Sequence, residues 1–218
     1  MIKALVFDFD GLILDTEGPE FTTWQEIYAS HGCELGLATW AVTIGTVGAF
    51  DPYAELERQL GQTIDRDAVR EQRRRRNAEL LRREQVRPGV GDYLAGARQR
   101  GLKLAIASSS PRSWVAGHLE RLGLIARFDC LTCADDVERV KPEPELYRVA
   151  LATLGVPANE AVALEDSPNG ILAAKRAGLF CVAVPNALTR QLPLDQADLR
   201  VDSLAELPLE VLLLKFLG

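Results

Sequence analysis

The stretch LVFDFDGLILDT, residues 5–16, decides the fold. It opens as an apolar run that reads as a buried strand, and that run ends on two aspartates, Asp8 and Asp10, two positions apart. A carboxylate taken out of water costs on the order of several kcal/mol unless something cationic meets it. An acid pair at the end of a buried strand therefore calls for a cation from elsewhere.

Similar short apolar segments recur at 102–107, 161–164 and 180–184, beside the first at 4–7, with a weaker fifth at 130–133. Helical patterns at 113–122, 143–154 and 169–177 lie between most of them. Strand and helix alternating in this way predict an α/β fold of parallel βαβ units, its sheet covered on both faces. The alternation breaks after the first strand. Residues 17–86 show helical periodicity at 20–30, 40–44, 52–60 and 66–83, a glycine-rich IGTVG at 44–48 and no convincing strand, before RPGV at 87–90 restores the pattern. The simplest organisation is a discontinuous core, 1–16 and 87–218, with a small helical domain, 17–86, inserted after its first strand.

The 218 residues, 47% of them apolar, suffice for a large globular core with an insert. With 31 acidic against 25 basic residues the net charge is -6, which disfavours nonspecific nucleic-acid binding and an acidic membrane surface. No apolar run reaches bilayer-spanning length, and MIK leads straight into a strand rather than a signal, so a cytoplasmic protein is expected. Four cysteines do not make a disulfide framework, and Cys130 and Cys133 lack the partners of a zinc site, so ordinary core thiols are expected. The run RRRR at 73–76 points around a whole helix cylinder, and with Glu71 and Glu79 nearby it reads as a solvated, ion-paired surface.

Ligands of a parallel α/β sheet bind outside the carboxyl ends of the strands. Collecting the polar residues just past each apolar run gives Asp8 and Asp10, SSS at 108–110, and EDS at 165–167, with Lys141 in KPEPELY after the weak fifth segment. Each has an ordinary structural role open to it: Asp10-Gly11 as a turn, Ser108 or Ser110 as a helix cap, Lys141-Pro142 as solvated loop, Ser167-Pro168 as a helix start. Together they are acids, a lysine and a hydroxyl at corresponding strand ends. That set suits phosphoryl chemistry: a hard divalent cation offsets the repulsion of the acids, lysine and serine hold phosphoryl oxygens, one carboxylate attacks phosphorus, and another moves protons.

DFDGLILDT at 8–16 resembles the first motif of the haloacid dehalogenase-like hydrolase superfamily, D-x-D-G-x-x-x-D-[ST]. Ser108 matches its second motif, Lys141 its third, and Glu165-Asp166-Ser167 its fourth, in the expected order. The resemblance implies a Rossmann-like, doubly wound core with a helical cap inserted after the first motif. It further implies Asp8 as nucleophile forming an aspartyl phosphate, Asp10 as general acid/base, and Ser108 and Lys141 as phosphate-binding residues. Mg²⁺ would be held by the Asp8 carboxylate, the Asp10 backbone carbonyl and the Asp166 side chain, with Glu165 nearby. Thr16 would lie at the hinge into the cap, and Ser109 near hinge or substrate.

Within the superfamily, the phosphatase and β-phosphoglucomutase branch fits. A mutase would need a cap arginine, yet IGTVGAFDPY, residues 44–53, has none, and Glu20 stands near where a histidine would be expected. A phosphonatase would need a cap lysine, and no lysine lies between Lys3 and Lys103. Dehalogenases have no need of the acidic set. A phosphoacceptor module or other non-catalytic binding protein is the remote alternative, disfavoured because an acid two residues from the acceptor promotes turnover. The expected partner is a small phosphorylated metabolite, turned over by a monomer. His31 and His118 are expected at the surface or as caps and Trp24, Trp40 and Trp114 in packing, with Trp24 and Phe50 the aromatics placed to touch substrate.

Overall fold

Four residues shut off from water on both sides, Ala4–Phe7, form the central strand β1 of a six-stranded parallel sheet. The computed structural model describes residues 1–40 and 50–216. The other strands are β2 (Lys103–Ala107), β3 (Cys130–Thr132), β4 (Ala161–Glu165), β5 (Phe180–Ala183) and β6 (Leu199–Arg200), in the order β3-β2-β1-β4-β5-β6. Strand order reverses across β1, so the crevice of the sheet opens beside the end of the DFD stretch. In register, Phe7 lies between Ile106 of β2 and Leu164 of β4.

The period of two along the strands sorts the core into two layers. Leu5 and Phe7 pack under α5 (Val90–Gln99), α6 (Arg112–Arg121) and α9 (Leu209–Lys215). Ala4 and Val6 face α7 (Glu145–Leu154) and α8 (Pro168–Arg176), where Ala105, Ala107, Ala161, Ala163 and Ala183 also lie on the sheet side. Small side chains there leave room for the large ones of α7, Leu146, Tyr147 and Leu151.

The expected strands at 4–7, 102–107, 130–133, 161–164 and 180–184 agree with β1 to β5 within a residue, and β4 runs one further to take in Glu165. The helix expected from 143 begins at Glu145, because Pro142 and Pro144 cannot donate to a helical ladder. β6, α5 and α9 are additions to the sequence reading. β6 is two residues long, too short for periodicity to register.

Residues 17–83 are helical where described: α1 (Glu17–Ser30), α2 (Leu37–Trp40), α3 (Pro52–Leu60) and α4 (Arg66–Arg83). The glycine-rich 44–48 and the end of the helix expected at 40–44 lie outside the described residues. Asp51 and Asp65 cap α3 and α4, each accepting two backbone N–H bonds, as short acids at helix starts do. Phe21, Trp24, Ile27, Tyr28, Leu35, Leu56 and Val69 bury a separate apolar cluster. In the arginine run on α4, Arg75 pairs with Glu71 and Arg76 with Glu79 and Glu26 at the surface, as expected, whereas Arg73 is largely covered, pairs with Glu20 of α1 and lies over the Trp24 ring. No helix among the described residues is long and apolar enough to cross a membrane.

Tyr28 ties α1 to α3 by donating its buried hydroxyl to the Pro52 carbonyl at 2.7 Å. Tyr28→Phe removes that donor and keeps the ring, so urea denaturation should show a loss of about 1 kcal/mol.

Candidate active site

The strand ladders continue one residue past β1 and β2 and so place the first site residues. Asp8 N–H donates to the Leu164 carbonyl at 2.9 Å, and Ser108 N–H to the Thr132 carbonyl at 3.0 Å. Glu165 ends β4, Asp166 follows it, and Ser167 caps α8 by accepting from Gly170 N–H at 3.2 Å. Asp8, Ser108, Lys141, Glu165 and Asp166 are all buried at the same end of the sheet.

Lys141 carries the only cationic side chain in contact with these acids among the described residues, and its ammonium bonds Asp8 and, at 2.6 Å, Glu165. Burial works against that ammonium, but Asp8 and Glu165 outweigh it and hold its pKa above the ordinary lysine value. Tyr147 donates its hydroxyl to the same Glu165 oxygen, and its ring lies 5.3 Å from the Lys141 nitrogen. Asp8, Glu165 and Asp166 each offer an oxygen to a common point, these atoms lying within 4.8 Å of one another. One ammonium does not balance three buried carboxylates. Burial pushes Asp8 up to about 8 against the pull of Lys141, and Glu165 and Asp10 push the same way. Burial also raises Asp166 well above the carboxylate range, with Asp8 and Glu165 adding to it.

Asp10 has different surroundings. Its Oδ1 accepts from Thr16 Oγ1 and from Trp114 Nε1, both at 2.9 Å, and its Oδ2 from Ser110 Oγ at 2.6 Å and Ser108 Oγ at 3.3 Å. The chain turns directly after Asp10 at Gly11, whose φ of +79° lies in the left-handed region. A Cβ on Gly11 would also collide with the Asp166 carboxylate, so that position is closed to side chains twice over. Gly170 is closed for a similar reason, since Glu165 rests against its Cα. Arg87, where the chain returns from the helical segment, donates to the carbonyls of Gly11, Val184 and, at 2.9 Å, Pro185.

The structure thus gathers Asp8, Lys141, Glu165 and Asp166 into one cluster and sets Asp10, Thr16 and Ser108 beside it. Ser109 has a buried hydroxyl without a partner. Trp114 is not mere packing, because its indole N–H holds Asp10. His118 is neither capping nor solvated: half-buried, it sits edge-on to Trp114 at 4.4 Å and beside Phe9. Tyr147, Ser110 and Asn186 escaped sequence reasoning as site residues. Ser110 and Tyr147 lie within the SSS and KPEPELY stretches, a signal of position only, and Asn186 had no local signal.

Between the helical segment and the core a cleft of about 660 Å³ is lined by Glu20, Arg73 and Asn77 on one side and Ser110, Ser113 and Trp114 on the other. Ser110 and Trp114 also hold Asp10, so this cleft lies on the side of its carboxylate. Glu17 opens α1 directly after Thr16. Burial pushes its carboxyl up to about 8, and Asp10, Glu20 and Asp15 add to the rise.

The sequence pattern of the haloacid dehalogenase-like hydrolases matches residues 2–178, and the chain belongs to that family. It is 49% identical over 213 residues to the protein named "Putative phosphatase YhcW" of Bacillus subtilis, covering 98% of this chain and 97% of that one. It is 32% identical to hexitol phosphatase B of Escherichia coli, over 97% of both chains. The crystal structure of β-phosphoglucomutase from Clostridium difficile superposes with a TM-score of 0.77 at 25% identity, covering 99% of this chain and 97% of that one.

Glu17 generates a pH prediction. Between the ordinary glutamate value of 4.5 and its folded value of about 8, the folded protein holds a proton that the unfolded chain has lost, so Glu17 lowers stability as pH rises through this window. Glu17→Gln should raise the melting temperature at pH 9 by about 2–4 °C, and the gain should vanish by about pH 4. Melting curves of both proteins across that range check it.

Proposed function

We propose that the protein is a Mg²⁺-dependent phosphatase that hydrolyses a small phosphomonoester, a sugar or related metabolite phosphate, through an aspartyl phosphate on Asp8. The observation that carries this reading is the pairing of buried Asp8 with Lys141 beside an Asp10 held by hydroxyl and indole donors. Two carboxylates two residues apart are given different surroundings, one suited to attack and one to proton transfer. The phosphatase names of the relatives agree with it.

The residues present fit a hard divalent cation: three buried carboxylates converge beside a single ammonium. Asp8, Asp166 and the Asp10 carbonyl would hold the ion, with Glu165 beside them. Bound Mg²⁺ would supply neutralising charge between Asp8 and the phosphoryl oxygens.

Lys141 and Ser108 hold phosphoryl oxygens while an Asp8 oxygen attacks phosphorus, and the bond from phosphorus to the leaving oxygen breaks. Asp10 delivers its proton to that oxygen. It then takes a proton from the water that attacks the aspartyl phosphate, which frees inorganic phosphate and restores the Asp8 carboxylate. Thr16, Ser110 and Trp114 keep the Asp10 side chain aimed through both proton transfers. Residues 17–86 act as the cap over a core of 1–16 and 87–218, and the cleft beside Asp10 takes the leaving group. All the residues invoked belong to one chain, which supports a monomer. The free thiols of Cys33, Cys130, Cys133 and Cys181 support a reducing, cytoplasmic setting.

The likeness to a β-phosphoglucomutase makes a phosphosugar mutase the second reading. Against it stand the arginine-free 44–53 and Glu20, whose carboxylate is taken up by Arg73 and Asn77.

A panel of phosphorylated metabolites, assayed for released phosphate with and without Mg²⁺, should show turnover only with the metal. Asp8→Asn should lower the rate by at least about 10³-fold, and Asp10→Asn by about 10²–10⁴-fold. Full activity in Asp8→Asn removes the nucleophile assignment. Isomerisation of β-glucose 1-phosphate with a bisphosphate primer, faster than its hydrolysis, establishes the mutase instead.

A further inference from the structure

We propose that Asn186 is a positioning residue for the bound cation: its side-chain amide fixes one oxygen of Asp166 and leaves the other to the metal. This rests on the reading of Asp166 as a metal ligand. Asn186 and Asp166 are both 3% exposed, and Asn186 Nδ2 donates to Asp166 Oδ2 at 2.9 Å. The orientation of the amide is set by chemistry. Its Oδ1 accepts from the backbone N–H of Leu188 at 2.8 Å and of Thr189 at 2.9 Å, so the NH₂ group must face the carboxylate.

Asn186 is itself held at both ends. Its backbone N–H donates to Thr189 Oγ1 at 2.9 Å, and Thr189 is wholly buried. Val184 and Pro185, just before it, are clamped by the Arg87 guanidinium, which also bonds the Gly11 carbonyl. The same loop reaches the helical segment, where Leu188 and Leu192 pack against the cluster around Phe21 and Trp24. Gly11 closes the remaining side, because a Cβ there would strike both Asp166 Oδ2 and Asn186 Nδ2.

A carboxylate with one oxygen bound to an amide has lost the freedom to rotate, and it meets a cation through its remaining oxygen in one direction. Hydrogen-bonded partners of metal ligands commonly contribute 10–100-fold in metal affinity. Among the described residues neither Asp8 nor Glu165 receives such an amide: the Lys141 ammonium bonds both acids, and the Tyr147 hydroxyl bonds Glu165. Asn186 carries no charge to balance, and its amide serves to orient Asp166.

The test measures Mn²⁺ binding to the full-length protein by electron paramagnetic resonance, without substrate, alongside melting of the metal-free protein. Asn186→Ala is expected to raise the Mn²⁺ dissociation constant about 10-fold or more. Thr189→Val, which keeps the amide but frees its backbone, is expected to raise it by a smaller factor. A lowered metal-free melting temperature with an unchanged Mn²⁺ constant in the folded Asn186→Ala protein marks a merely structural residue and overturns the proposal. If Asn186→Ala does not fold, an unchanged constant in Thr189→Val overturns it. Wild-type protein that binds no Mn²⁺ overturns the metal reading itself and Asn186 with it, whereas wild-type binding matched by Asn186→Ala overturns Asn186 alone.

Discussion

The buried ammonium of Lys141, wedged between Asp8 and Glu165, is the contact on which the remaining features depend. Two strand ends, those of β1 and β4, deliver three buried carboxylates into one place, and a positive charge among them offsets part of the cost. Lys141 reaches it from the connection between β3 and α7, and Tyr147, two residues into α7, secures the far side of Glu165. The close approach of these groups then dictates glycine at 11 and 170, where Asp166 and Glu165 occupy the space of a Cβ. Even so, one cation leaves the cluster too negative, which is the physical case for a divalent metal.

Asp8 and Asp10 are two residues apart and experience different chemistry. Asp8 lies in the dry floor of the site against lysine, where burial dominates. Asp10 lies past the strand and is met by donors from Thr16, from the loop after β2 and from α6. Asp8 thus meets an ammonium and Asp10 meets hydroxyl and indole donors, and the left-handed turn at Gly11 leads the chain on directly afterwards. The proposed division between nucleophile and proton carrier rests on that difference.

The helical segment buries its own aromatic cluster and turns a polar face to the core. Its glutamate, arginine and asparagine line one wall of the cleft, while serines and the Asp10-bound indole line the other. The 186–192 loop touches both this segment and Asp166, so the position of the helices and the geometry of the acidic cluster are physically joined.

Local sequence carried much of this. Strand and helix alternation follows from burial on a period of two or 3.6, which any short window displays, and the ordered DxD, SSS, KP and EDS stretches named the acids, the hydroxyl and the lysine. Weak or short elements such as β6 left no such imprint. Contacts between distant positions were not legible: Trp114 to Asp10, Tyr147 to Glu165 and Asn186 to Asp166 span 104, 18 and 20 positions. The sequence by itself determined which chemical groups stand at the strand ends, because backbone periodicity places them there. Only the tertiary structure decided which oxygen each donor takes, because that depends on side chains brought within 3 Å by the packing of separate elements.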